Sequence, residues 1–363
     1  MLLWMIPLLL SGMGAVMITS STSGESFAAS GTPYAIGLRQ GQWLFLAILA
    51  MIGGYSVRTE SWQRGSGALW ALGLLLTWIT LVPGIGDTAG GARRWIRIPG
   101  FSIQSGEFLC LAASIHLTKI ICRERMDAVR AFTKILAIVF ISGLPLILQP
   151  DLGTTVLIYL IGMGLYVERF GWKLPVAFTL GSSCLVFVPL VLLTPYRLRR
   201  VLAFLDPWQD PLDTGFQAIQ GLIAFANGGL WGTGLGHGFQ KLNYLPAAYT
   251  DFIYAALGEE LGLIGTGCLL ILFAIWVTRT HVLYLASEDD FARPLTWALV
   301  LTVLLPLFIN VAGVTKLAPM KGMPLPFVSY GGSSLLMMWL RIGILLRLSR
   351  SAGGNFNGEE GWR

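Results

Sequence analysis

Nine stretches of this chain run for 16 to 23 residues without a single Asp, Glu, Lys or Arg: 2–19, 41–57, 65–86, 135–150, 152–167, 174–196, 261–278, 294–315 and 322–340. Most approach the roughly 20 residues an α-helix needs to cross a bilayer. Charged residues are 12% of 363 positions and hydrophobic ones 55%, about half the charged share of a soluble domain. Within lipid the backbone must satisfy its own hydrogen bonds, and a helix does so. The expected fold is therefore all-α, a polytopic membrane protein. A tenth span is predicted where the short run 108–118 extends to Glu107 and Cys122. Ten transmembrane helices in one integral unit, 1–363, result. The first run lacks a basic leader and a small-residue cleavage site, so it reads as a retained anchor.

The connections are short except for one segment of 54 residues, Arg197 to Thr250, expected to be a long extracytoplasmic loop (197–250) between spans seven and eight. Its stretch 214–240 carries no formal charge and is rich in glycine. Close backbone packing explains such glycines better than a phosphate cradle, since no Lys-Ser/Thr ending follows. With the N-terminus inside, Lys and Arg favour the inner loops only weakly. Arg93, Arg94, Arg97, Arg197, Arg199, Arg200 and Lys241 fall on the outer side, which suits an anionic ligand there. The four cysteines and three histidines show no metal spacing. Nothing points to a nucleic-acid partner.

Six polar islands interrupt the apolar pattern. They are Gly91-Ala-Arg-Arg-Trp-Ile96, Gln104-Ser-Gly-Glu-Phe108, Gln149-Pro-Asp-Leu-Gly-Thr154, Tyr196 to Trp208, Leu245 to Leu261, and Pro324-Leu-Pro-Phe-Val-Ser-Tyr-Gly-Gly-Ser-Ser334. In this order they resemble the SEDS family of shape, elongation, division and sporulation proteins, the FtsW, RodA and SpoVE class. The resemblance runs from about Gly91 to Leu346. The segments 204–211 and 240–246 look closer to the division and sporulation members than to the elongation members. Two places depart from the family pattern. A lysine expected after the Gln104 island is replaced by Cys110, and the Leu-Pro-Glu-x-His-Thr-Asp pattern has Ala247 and Tyr249 in place of Glu and His.

The resemblance implies a peptidoglycan glycosyltransferase in the bacterial cytoplasmic membrane, with its catalytic face outside, that polymerises lipid II into glycan strands. It implies a class B penicillin-binding transpeptidase as partner, other divisome proteins around it, and membrane lipids as surroundings. A lipid II flippase, a non-catalytic divisome scaffold and a RodA-like elongation role are the competing expectations. Sugar transfer from a lipid pyrophosphate needs a base on the acceptor hydroxyl and cations on the leaving group. Asp251 is the expected base. Thr250 reads as its helix N-cap, which would put the acid in the first turn. The helix dipole then lowers its basicity while burial raises it. Arg94, Arg197, Arg200 and Lys241 are the expected cations, with Lys321 a further one. Glu107, Gln104, Gln149 and Ser329 are expected to contact substrate. Asp151 reads equally as a cap or a site residue. Glu259 and Glu260 are expected to pair with Lys119 or Arg341, with the floor of the cavity as the alternative place. A divalent cation, Mg or Mn, between Asp251 and pyrophosphate suits the chemistry, though no motif encodes one.

Overall fold

The computed structural model describes all residues except 90–91, 99–100, 124–125, 194–197, 199–200, 203, 214, 241–244, 321 and 353–363. It is built on helices. α1 (Leu2–Ser30), α2 (Ala35–Ser56) and α3 (Thr59–Ile79) are followed by a small sheet, then by α4 (Ser105–Ile121), α5 (Ala128–Leu148) and α6 (Leu152–Phe170). α7 (Lys173–Ser182) continues through a π-helical turn, Ser183–Phe187, into α8 (Val188–Leu192). α9 (Phe216–Gly228), α10 (Ile253–Ala286), α11 (Ala292–Val314) and α12 (Gly332–Ser351) complete the order. Six of these, α1, α2, α5, α10, α11 and α12, are long and apolar enough to cross a membrane. The other stretches read as spans are helical too, as α3, α4, α6 and the α7–α8 passage; α4, for example, has only 17 residues.

The helical bundle expected is present, with one small sheet added to it. The stretch that carries Arg93, Arg94 and Arg97 forms a three-stranded antiparallel sheet: β1 (Gly86–Ala89), β2 (Ala92–Ile98) and β3 (Phe101–Gln104), in that order. Trp95 pairs with Asp87 on one side and Gln104 on the other, and Ile96 pairs with Ile103. Arg97 and Asp87 form an exposed ion pair on the sheet. β3 runs directly into α4, so the sheet and that helix place their polar residues together. Segment 197–250, expected as a loop between two spans, carries regular structure of its own. It contains a 3-10 turn, Pro207–Gln209, and the 13-residue α9.

Glycines let the helices approach closely, as membrane helix packing requires. A Cβ at Gly343 of α12 would overlap the Met51 carbonyl of α2, and one at Gly54 would press on Leu340. α1, α10 and α12 enclose one apolar core around Trp276, Phe273 and Trp339. α4, α5 and α6 enclose a second around Leu109, Ile135 and Tyr166. α10 is broken at Gly262, whose φ of 66° and ψ of −165° are not helical. The glycine-rich segment docks at that break. Thr233 and Gly234 donate to the Glu259 and Glu260 carbonyls at 2.9 and 3.0 Å, and Leu263 donates to Gly229 at 2.9 Å. A Cβ at Gly232 or Gly262 would collide with the opposite backbone, which is the close packing anticipated for these glycines.

Candidate active site

Asp251 lies in the turn before α10, not in its first turn. The helix begins at Ile253, and Thr250 does not cap it: its hydroxyl donates back to the Ala247 carbonyl at 3.2 Å. Ala247 takes the left-handed conformation (φ 57°), and its carbonyl also accepts the amides of Thr250 and Phe252 at 3.1 and 3.2 Å. Three outside contacts pin this turn through its carbonyls. Tyr330 N donates to Tyr249 O at 2.9 Å, Ser329 Oγ to Thr250 O at 2.6 Å, and Asn310 Nδ2 to Asp251 O at 2.8 Å. Asn310 Nδ2 also donates to Met323 O at 2.7 Å, tying the turn to the segment before α12.

The Asp251 carboxylate lies over Gly322, where a Cβ would stand 3.0 Å from Oδ2. Burial pushes this carboxyl above its ordinary range, and the nearby Arg94 guanidinium pulls it partway back. At this carboxyl desolvation outweighs the attraction of the Arg94 guanidinium. Burial also raises the Tyr249 phenol, helped by the Glu25 carboxylate that it hydrogen-bonds.

Arg94 is carried by β2. Its Nη2 donates to the Pro150 carbonyl at 3.2 Å, and its Nε is buried without a hydrogen-bond partner among the described residues. It therefore joins the turn between α5 and α6 to the neighbourhood of Asp251. Gln104, where β3 meets α4, donates its amide to Ser333 Oγ at 2.9 Å and its side chain to Asp151 Oδ2 at 3.4 Å. Ser333 in turn donates to Ser102 O at 3.1 Å. Asp151 caps α6 by accepting from Thr154 N (3.2 Å) and Thr154 Oγ1 (2.9 Å). One polar chain thus links sheet, α4, the 149–151 turn and α12.

Gln149 and Ser329 are placed in structural contacts. Gln149 Nε2 donates to Thr77 O at 2.6 Å and also to the Thr80 hydroxyl. Ser329 Oγ donates to Thr250 while accepting the Leu325 amide at 2.8 Å. Glu107, in the first turn of α4, pairs with Arg341 at 3.6 Å. Arg197, Arg200, Lys241 and Lys321 lie outside the described residues.

The pairing expected of Glu259 and Glu260 is corrected. Both are buried, and their carboxylates serve the glycine-rich segment. Glu259 accepts from the amides of Phe239 and Gln240, each at 3.1 Å, and from Asn227 Nδ2 at 3.3 Å. Glu260 accepts from Gly236 N at 3.0 Å and from Ser20 Oγ of α1 at 2.7 Å. Main-chain donors outcompete distant cations because they lie alongside and need no long side chain ordered.

Sequence reasoning missed Asn310, Ser333 and the role of Arg341. Asn310 had a signal, being the one amide side chain within the uncharged run 294–315. Among the described residues, no group of three His, Cys, Asp or Glu gathers that could hold a metal ion. Among those residues Asp251 is a single carboxylate near a guanidinium, which does not by itself make a metal site.

This bundle is a known one. A chain of a peptidoglycan synthase complex, solved for the coordination of polymerization and crosslinking, superimposes with TM-score 0.80 at 24% identity, covering 97% of this chain and 98% of that one. The rod shape determining protein RodA of Thermus thermophilus superimposes with TM-score 0.69 at 21% identity, covering 96% of each. Both likenesses establish the fold. By sequence, residues 1–353 match the cell cycle protein family of FtsW, RodA and SpoVE, and the chain belongs to that family. The probable peptidoglycan glycosyltransferase FtsW of Geobacter sp. (strain M18) is 36% identical over 364 residues, 98% of this chain and 97% of the relative. Stage V sporulation protein E of Bacillus subtilis (strain 168) is 37% identical over 355 residues, 96% of each.

Proposed function

We propose that the chain is an inverting peptidoglycan glycosyltransferase that polymerises lipid II at the outer face of the bacterial cytoplasmic membrane during cell division. The observation that carries the reading is Asp251, a desolvated carboxylate whose main-chain carbonyl is anchored by Asn310 and whose charge is favoured by the Arg94 guanidinium. The proposed topology has ten spans in one integral unit, the N-terminus inside, and segment 197–250 outside between spans seven and eight. Asp251 then stands at the outer membrane boundary, where a substrate must bring its own leaving group. A lipid pyrophosphate sugar does so.

In the proposed step the acceptor's 4-hydroxyl oxygen attacks the donor's anomeric carbon. Asp251 takes the hydroxyl proton, the bond from that carbon to the pyrophosphate oxygen breaks, and its electron pair leaves with the lipid pyrophosphate. Arg94 supports the departing charge, its guanidinium carrying donors beyond the one spent on Pro150. Arg197, Arg200 and Lys241 are proposed as further cations, and Gln104 and Glu107 as substrate contacts. A division role is favoured by relatives named FtsW. A class B transpeptidase is the proposed partner, in keeping with the fold neighbour from a synthase complex that couples polymerization to crosslinking.

The test uses the purified full chain, fluorescent lipid II and gel analysis of glycan strands. Asp251→Ala should abolish strand formation while leaving the protein folded. Wild-type polymerisation by Asp251→Ala would sink the catalytic reading. Lipid II translocation without strands in the unmodified protein would favour a flippase. Normal division of cells carrying Asp251→Ala at normal levels would favour a scaffold.

A further inference from the structure

Arg341 sits ten residues into α12, outside every polar island of the sequence, and is 1% exposed. Its Nη2 lies 3.6 Å from Glu107 Oε2 and 3.5 Å from the Glu107 carbonyl. Its Nε and Nη1 have no hydrogen-bond partner among the described residues. The guanidinium also lies beside Cys110, which is one turn beyond Glu107 on the same face of α4. A buried guanidinium whose Nε and Nη1 find at most the Cys110 sulfur is expensive, and more so within a membrane helix. Stability alone does not explain it, because well-packed apolar residues of similar volume usually serve as well as a buried ion pair. The Glu107 side chain keeps 17% of its surface exposed, so one partner is sealed and the other is left accessible.

We propose that Arg341 is a positioning residue for strand polymerisation: it holds the Glu107 carboxylate of α4 in the orientation that meets substrate. This rests on the glycosyltransferase reading of the Asp251 site. It also accounts for Cys110, whose small side chain leaves the space that the guanidinium fills from the opposite helix. The positive charge beside Glu107 is supplied across the α4–α12 interface instead of along α4.

The experiment measures kcat and KM for lipid II polymerisation, with thermal melting as the folding control. Arg341→Met should lower kcat at least about tenfold, the scale expected when a contact group is misoriented. Arg341→Lys should retain most of the rate. The pair Arg341→Met with Glu107→Leu should fold well yet be no slower than Glu107→Leu alone, because both changes remove one unit. Cys110→Lys combined with Arg341→Met should recover the rate to within about threefold of wild type, since a cation returns to the same carboxylate. The proposal is overturned by wild-type rates in the Arg341→Met and Glu107→Leu pair, by single effects that multiply, or by a Cys110→Lys combination as slow as Arg341→Met. If Arg341→Met alone does not fold, the two combined variants decide. Asp251→Ala, run alongside, separates the failures: an active Asp251→Ala sinks the reading of the site, whereas an inactive one beside an unaffected Arg341→Met sinks only the role of Arg341.

Discussion

Replacing Asn310 by leucine removes two hydrogen bonds while nearly conserving volume, so little cavity is created. The bonds, 2.8 Å to the Asp251 carbonyl and 2.7 Å to the Met323 carbonyl, are short and made from a side chain only 2% exposed. At about 1 kcal/mol each, their loss costs about 2 kcal/mol, and the two carbonyls that lose this donor add about another 1 to 2 kcal/mol. Asn310 Oδ1 is itself buried without a partner, so removing it returns about 1 kcal/mol. The net destabilisation is about 2 to 3 kcal/mol, concentrated where the Asp251 turn meets the segment before α12. Released from this anchor, the carboxylate shifts, and a displacement of about 1 Å at a reacting group costs about a hundredfold in rate. Asn310→Leu should therefore melt below wild type in detergent and polymerise lipid II far more slowly, with kcat falling more than KM rises. An Asn310→Leu protein with wild-type melting and wild-type kcat would refute the claim that this amide fixes the acid.

The Asp251 carboxyl is raised by burial, so its ionised form is the less stable one in the fold: stability present at low pH is lost as pH rises through the raised value. Asp251→Asn should then melt above wild type at pH 7, with the gap narrowing toward pH 4, while making no glycan strands; a lower melting point at pH 7 contradicts the sign. Arg94 opposes that rise, so Arg94→Met should move the acid limb of the kcat/KM profile to higher pH, and an unmoved limb would show that Arg94 is not coupled to the base. Gly262→Ala puts a Cβ at φ 66° against Leu230 and Gly232, and should open the 229–240 segment to proteolysis. Gly267→Ala, which meets nothing within 4 Å, is the matched control and should leave digestion unchanged.

Charge-free runs located the helical segments because lipid-facing and core-facing positions are both apolar, leaving polar residues only at the ends. The same criterion hid structure wherever charge was satisfied internally. α10 starts at Ile253, well before the uncharged run begins at 261, because Glu259 and Glu260 are paid in main-chain amides from the glycine-rich segment. The sheet at 86–104 is hard to see in the sequence because Arg93, Arg94 and Arg97 dominate it, although Trp95, Ile96 and Ile103 are strand-forming residue types. Asp251 was legible as an acid before a helix. Its true place outside the first turn was not, since Thr250 has the composition of a cap but turns its hydroxyl back to Ala247. Asn310 and Arg341 act through tertiary contacts with residues far away in the chain, and nothing local in the sequence announces such partners.

The turn bearing Asp251 is stitched to its surroundings through the carbonyl oxygens of residues 249, 250 and 251. Those bonds are indifferent to which side chains the turn itself displays. Substitution at 247 and 249 can therefore proceed by drift without dislodging the acid, as long as the donors at 310, 329 and 330 persist. Ala247 and Tyr249, where this chain parts from its family's pattern, lend no side chain to those bonds. A search for distant relatives would do better to weigh the donor positions than the spelling of the motif around the acid.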